Sequence, residues 1–233
     1  MTETFPLLLV PGLGSSARVY LNQLPALWAV SSVTIPNHVR DNTMSGVAKR
    51  ILGEAPKRFA LAGHSMGGYI SLEIMRQAPE RVVRLALMNT QARPESPEAR
   101  ERRLGWIANI QNGKFDASID AFNATLVHPS RKSDKDIMAV LTAMAHDVGP
   151  DNFVRQLEAI MSRADSRPLL ASVKCPTLVL TSDTDNTVPN EASFEMAKAI
   201  PGAKLVVIPD CGHMTQLEKP DAVTQALLDW MRM

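Results

Sequence analysis

Little in this sequence is unbalanced. Its 25 Lys and Arg face 24 Asp and Glu over 233 residues, a formal charge of +1, so the clustered basic excess of a nucleic-acid binder is missing, and so is an acidic tail. Two cysteines, Cys175 and Cys211, are too few for a disulfide framework and have no metal-ligand spacing; both read as small buried hydrophobes of a reduced, cytoplasmic protein. No apolar run is long enough to cross a bilayer. The longest early one, Phe5 to Val10, lacks a basic leader and is cut by Pro11, so neither a signal peptide nor a membrane partner is expected. Aromatic residues make up only 5% of the chain, which suggests a binding pocket lined by aliphatic and Met side chains. What remains is an ordinary globular composition, 45% hydrophobic and 21% charged, long enough to bury roughly 70 to 75% of the unfolded surface.

Short apolar runs alternate with amphipathic stretches: Pro6 to Val10, Val33 to Pro36, Phe59 to Gly63, Val82 to Met88, Thr177 to Thr181 and Lys204 to Ile208. Strands covered on both faces read as continuous apolar runs, so the pattern predicts an α/β fold with a mostly parallel central sheet of about six strands flanked by helices. Val47 and Ile51 share a helix face behind a cap at Asn42 or Thr43, and Val223, Ala226, Leu227 and Trp230 follow helical spacing after Pro220. Strand signals stop between Gln91 and Pro168. That block reads as helices around Trp106, Ile107 and Ile110, then Met138, Leu141 and Met144, then Phe153, Leu157, Ile160 and Met161. The expected organisation is therefore a core of residues 1–90 and 169–233 and a helical lid of residues 91–168, inserted after the fourth predicted strand. The charge-dense run Pro94 to Arg103 reads as a solvated helix face.

The sharpest chemical signal is Gly63-His64-Ser65-Met66-Gly67-Gly68, which follows a predicted strand and opens a predicted helix. A G-x-S-x-G elbow sets its serine on a tight strand-to-helix turn, and the flanking glycines remove side chains that would clash there. The backbone N–H of Met66, at the helix amino terminus, is placed to donate to a developing oxyanion. Such a serine needs a base and an acid at comparable strand ends. The segments Ser182-Asp183-Thr184-Asp185 and Asp210-Cys211-Gly212-His213 follow the fifth and sixth predicted strands, so the chain order is serine, aspartate, histidine, the order that fits a parallel sheet.

In these motifs the chain resembles the serine α/β-hydrolases, in particular bacterial esterases and the meta-cleavage-product and enol-lactone hydrolases. The likeness spans residues 6–90 and 169–233. It implies a catalytic triad of Ser65, Asp185 and His213, cleavage of a small carboxylic ester, lactone or thioester through an acyl-enzyme, and no metal or organic cofactor. A C–C bond hydrolase of the meta-cleavage type, or a non-hydrolytic member of the same fold, is the alternative. In that family the acid commonly lies four residues before a proline, which favours Asp185, four before Pro189, over Asp183. By the same resemblance Leu8 to Gly14 is the oxyanion strand and loop, with the Leu13 N–H as second donor. Three departures stand out. Pro11 occupies the usual histidine position before the loop glycine, so that loop must be braced differently. The amino-terminal antiparallel hairpin common in the family is expected to be absent, and the turn Asn37 to Asp41 lacks the usual glycine-rich form.

Gly12-Leu13-Gly14-Ser15-Ser16-Ala17 also fits the dinucleotide-binding fingerprint G-x-G-x-x-A. The next strand ends Ile35-Pro36-Asn37-His38, without the acid that a ribose would require. His64 is expected to pack behind the elbow, and His38, His128 and His146 to lie on loops or the surface. Met66 and Met214 flank the serine and histidine, bordering an acyl pocket or filling the core.

Overall fold

The computed structural model describes residues 4–233. Six strands form one sheet: β1 (Leu7–Val10), β2 (Val33–Thr34), β3 (Phe59–His64), β4 (Val82–Met88), β5 (Thr177–Ser182) and β6 (Lys204–Ile208). Their order is β2-β1-β3-β4-β5-β6, and every pairing among the described residues is parallel. β1, β3 and β5 are buried along their whole length, which is why they read as unbroken apolar runs. β2 is shorter than its sequence signal. It pairs through two residues only, and Pro36 has no N–H to extend the ladder.

Helices α1 (Leu24–Trp28), α2 (Met44–Glu54) and α3 (Met66–Gln77) connect the first four strands. The chain steps from β1 to β2 in one direction and from β2 through β3 to β4 in the other; right-handed crossovers therefore place α1 opposite α2 and α3. α2 starts at Thr43, whose hydroxyl accepts from the Gly46 N–H at 3.1 Å, a cap that satisfies one of the helix's orphan donors. After β4 come α4 (Pro97–Gln111), α5 (Phe115–Leu126), α6 (Lys135–Val148), α7 (Pro150–Met161) and the short α8 (Arg167–Leu170). Helices α9 (Asn190–Ala199), α10 (Thr215–Glu218) and α11 (Pro220–Met231) complete the chain. Val223, Leu227 and Trp230 of α11 are fully buried, at the spacing read from the sequence.

Register aligns the carboxyl ends of the strands. Val10 lies beside Gly63, His64 beside Met88, Met88 beside Leu180, and Ser182 beside Ile208. The residues that follow β1, β3, β4, β5 and β6 thus emerge along one edge. Between β1 and β3 the strand order reverses, and ligands of open α/β sheets bind at such a switch point.

Candidate active site

Ser65 stands between the last residue of β3 and the first of α3 with φ 53° and ψ −116°, a left-handed conformation that costs a non-glycine residue about 1–2 kcal/mol. Its backbone is fixed on both sides. The N–H donates to Met88 O at 2.9 Å, and the carbonyl accepts from the Gly68 N–H at 2.9 Å and from Thr90 Oγ1 at 2.8 Å. The two motif glycines are needed for space: a Cβ on Gly67 would fall onto the Val10 carbonyl, and one on Gly63 onto the Gly67 carbonyl. The Ser65 hydroxyl makes no capping bond to α3, and the residue lines a cavity. Asn89 and Asp210 are the other non-glycine residues with positive φ among the described residues. All three directly follow or lie close to strand ends on the same edge.

His213 and Asp185 meet at that edge. Nδ1 of His213 lies 2.8 Å from Asp185 Oδ2, and the two side chains are 2% and 0% exposed. The second carboxylate oxygen of Asp185 accepts from the N–H groups of Thr187 at 2.8 Å and Val188 at 2.9 Å. Burial pushes the Asp185 carboxyl upward, but the neighbouring His213 and the bonds from His213, Val188 and Asn89 outweigh it and hold the carboxyl below its ordinary value. The imidazole is anchored through its own backbone: His213 N–H donates to Leu126 O at 2.8 Å, and His213 O accepts from His64 Nε2 at 2.9 Å. Ser65 Oγ makes no hydrogen bond to His213 among the described residues; such contacts are often long in a resting enzyme and tighten with substrate.

Asp183 is oriented differently from Asp185. Its carboxylate accepts from the N–H groups of Asp210 at 2.9 Å and Cys211 at 3.2 Å, so it ties the end of β5 to the loop that carries His213. Asn89, to which the sequence drew no attention, holds the Asp185 carboxylate. Its Nδ2 donates to Asp185 Oδ2 at 3.0 Å and to Ser182 Oγ at 3.2 Å, and its Oδ1 accepts from Thr215 Oγ1 at 3.0 Å. A polar residue immediately after the apolar run of β4 was the available signal.

The loop Gly12–Gly14 is braced from three directions. Ser15 N–H closes a turn onto Gly12 O at 3.2 Å, His38 Nε2 reaches the same oxygen at 3.2 Å, and Gly14 N–H donates to Gln156 Oε1 of α7 at 2.9 Å. His38 therefore lies on a loop, as expected, but is buried in it and not at the surface, 5% exposed, doing from the turn after β2 what the residue at Pro11 cannot. His64 packs behind the elbow as expected. His128 is half-buried and His146 exposed. The loop leads into a single 3₁₀ turn, Ala17–Tyr20, so no long helix opens there to receive a pyrophosphate, and the dinucleotide reading lacks its structural context.

The imidazoles of His38 and His64 are neutral near pH 7. Desolvation pushes His38 from 6.5 down to about 4, and desolvation together with the facing His213 pushes His64 down to about 3. The unfolded chain binds protons on both near pH 6.5 while the fold does not, so stability is lost as pH falls through that value and levels off only below the folded ones. At pH 4 the loss from His38 alone is up to about 3 kcal/mol. Urea midpoints from pH 7 to pH 4 should show this fall, and His38→Gln should make it shallower. An unchanged slope in that variant would contradict the assignment.

A cavity of about 570 Å³ opens onto Ser65 and Leu13. Tyr69, Trp106, Phe122 and Ile160 line it together with several arginines, so the aliphatic and Met lining expected from composition is not what the fold builds. Three of the chain's eleven aromatics, Tyr69, Trp106 and Phe122, stand there instead. Met66 and Met214 are fully buried and absent from the cavity wall, which makes them core filler. Helix α5, unread in the sequence, contributes Phe122 and Thr125 to the wall and Leu126 O to His213. Its signal was present as Phe115, Ile119, Phe122 and Leu126, at helical spacing.

A family model described as the alpha/beta hydrolase family matches residues 7–226. The chain belongs to this family. As an alpha/beta hydrolase it is similar to a protein of Pseudomonas savastanoi pv. phaseolicola carrying the provisional name carbamate hydrolase RutD, 28% identical and covering 97% of this chain and 93% of that one. It is also 29% identical to the 2-hydroxy-6-oxononadienedioate/2-hydroxy-6-oxononatrienedioate hydrolase of Escherichia coli, over 92% of this chain and 76% of the relative. Among solved structures, a thermophilic esterase from Thermogutta terrifontis superposes with a TM-score of 0.89 at 29% identity, covering 99% of this chain and 91% of that one. The resemblance read from the elbow and the strand ends, and the parallel α/β sheet, are thereby borne out.

Proposed function

We propose that this alpha/beta hydrolase cleaves a small carboxylic ester, lactone or thioester through a covalent acyl-enzyme. The observation that carries the reading is the fully buried Asp185–His213 pair at the same sheet edge as the strained Ser65, which lines the cavity. In this mechanism His213 takes the Ser65 proton as Oγ bonds to the substrate carbonyl carbon, and Asp185 holds the imidazole tautomer that leaves Nε2 free to accept it. The carbonyl oxygen becomes an oxyanion stabilised by the N–H groups of Leu13 and Met66, each worth about 2.7–4 kcal/mol. Collapse of this intermediate expels the alcohol, which takes the proton from His213. Water, deprotonated by the same imidazole, then attacks the acyl carbon and restores Ser65. Helices α4 to α7 act as the lid, of which α4, α5 and α7 supply cavity wall around the acyl group. A second reading is favoured by the Escherichia coli relative: the same machinery acting on a hydroxy-oxo-dienoate type of substrate.

Nitrophenyl esters of graded acyl length, run beside lactones and vinylogous diketones, test the proposal; hydrolysis of none of them would refute it. The brace on the oxyanion loop gives a finer test. His38→Ala should lower kcat by about 10- to 100-fold with KM little changed, since a displaced Leu13 N–H costs interactions made mainly in the transition state. His38→Gln, which keeps a donor, should recover part of the rate. A change confined to KM would show that His38 does not position the loop.

A further inference from the structure

The charge-dense run after β4 is only partly the solvated face its composition suggests. Glu98, Arg100 and Glu101 meet solvent, but Glu95 and Arg103 turn inward. Four arginines, Arg93, Arg102, Arg103 and Arg163, line the cavity that holds Ser65, and no Asp or Glu among the described residues lines it. Two of these cations are engaged in structure. Arg163 is paired with Glu95, donates to Arg93 O at 3.0 Å and Pro94 O at 3.2 Å, and lies over the Tyr69 ring at 4.6 Å. Arg93 is paired with Glu195 at 2.7 Å.

Arg103 is paired as well, but Arg103 and Arg102 have less than one carboxylate each. Arg103 uses only Nε, 2.8 Å from Glu95 Oε1, so its two terminal nitrogens have no partner among the described residues. It shares that carboxylate with Arg163, and its side chain is 18% exposed. Burial holds both guanidiniums below their ordinary value, as expected of cations short of solvent. Arg102, exposed at the rim, has no ion pair among the described residues. Two glutamates against four arginines leave the wall cationic, in a chain whose whole formal charge is +1.

We propose that the substrate carries a carboxylate remote from its scissile carbonyl, and that the free terminal nitrogens of Arg103, with Arg102 at the rim, receive it. The planar fork of a guanidinium matches a carboxylate bidentately, and charge-assisted bonds of this kind are roughly twice as strong as neutral ones. Such an anion completes the pairing that Glu95 alone provides to two cations. It also orients the ester, because the two arginines come from α4 while Ser65 comes from the elbow. The inference rests on the serine-hydrolase reading for its chemistry, but the anion site is measurable without turnover.

Two matched pairs test it: 4-nitrophenyl hydrogen glutarate against its methyl ester, with the carboxylate in the acyl half, and 4-carboxyphenyl butyrate against its methyl ester, with the carboxylate in the alcohol half. The protein should prefer the anion in at least one pair by about tenfold or more in kcat/KM. Arg102→Gln and Arg103→Gln should each reduce that preference, and Arg103→Lys should retain part of it. Should Arg103→Gln unfold by stranding Glu95, the exposed Arg102→Gln carries the comparison. Calorimetric binding of glutarate to the Ser65→Ala protein reads the same site with chemistry removed, and should weaken by about tenfold in Arg102→Gln. No preference in either pair, or glutarate binding indifferent to both arginines, overturns the anion site. Absence of all hydrolysis with glutarate still bound through Arg102 and Arg103 overturns the hydrolase reading and leaves the anion site standing.

Discussion

Ser65→Ala is expected to lower turnover of a nitrophenyl ester by about 10⁵- to 10⁶-fold, the scale on which loss of a triad nucleophile acts. The fold should survive. The bonds that fix this turn are made by the Ser65 backbone, to Met88, Gly68 and Thr90, and alanine keeps all of them. The hydroxyl neither caps α3 nor packs in the core, and the left-handed φ of 53° is shared by both residues. The melting temperature of the variant should therefore lie close to that of the parent. His213→Ala should fail on a similar scale, and the double variant should lose little beyond either single one, because triad members act as a unit. Additive losses would mean that the two residues serve different steps.

Asp185→Asn is expected to lower turnover by about 10³- to 10⁴-fold, since an amide in that place favours the wrong histidine tautomer. Asp183→Asn should cost far less in turnover. Its carboxylate accepts from the N–H groups of Asp210 and Cys211 and has no bond to the imidazole, so its loss loosens the loop that carries His213. Because the group is largely exposed, the effect should be a modest drop in melting temperature, not a collapse of the rate. Steady-state kinetics and thermal melts of both variants decide between them. The reverse ranking of rates, with both proteins folded, would transfer the acid role to Asp183.

Ser65 and His213 were legible in the sequence because an elbow motif and a strand-end histidine are local patterns, and β3 and β5 were legible because both faces are covered. Asp185 could only be ranked against Asp183: two residues apart on a turn, they diverge according to loop geometry that spacing does not encode. The contacts that complete the site are long-range. Gln156 reaches Gly14 across 142 positions and Asn89 reaches Asp185 across 96, and no one-dimensional period signals such a bond. His38 reads as a loop histidine because Pro36 and Asn37 precede it, and it is one, but only the fold buries it under Gly12. Composition misled about the pocket for a related reason: an average over the chain says nothing of where Tyr69, Trp106 and Phe122 gather. Helix α5 carries a clear period of its own, between the helices read around Trp106 and Met138.

The proposed nucleophile can be tested without knowing the substrate. Incubation of the native protein with a fluorophosphonate, followed by peptide mass spectrometry, should give one adduct, on Ser65, because a phosphonyl fluoride captures a serine activated by its histidine. Labelling should vanish in Ser65→Ala and slow severely in His213→Ala. A native protein that remains unlabelled, or an adduct that persists in Ser65→Ala, would contradict the nucleophilic serine on which the account rests.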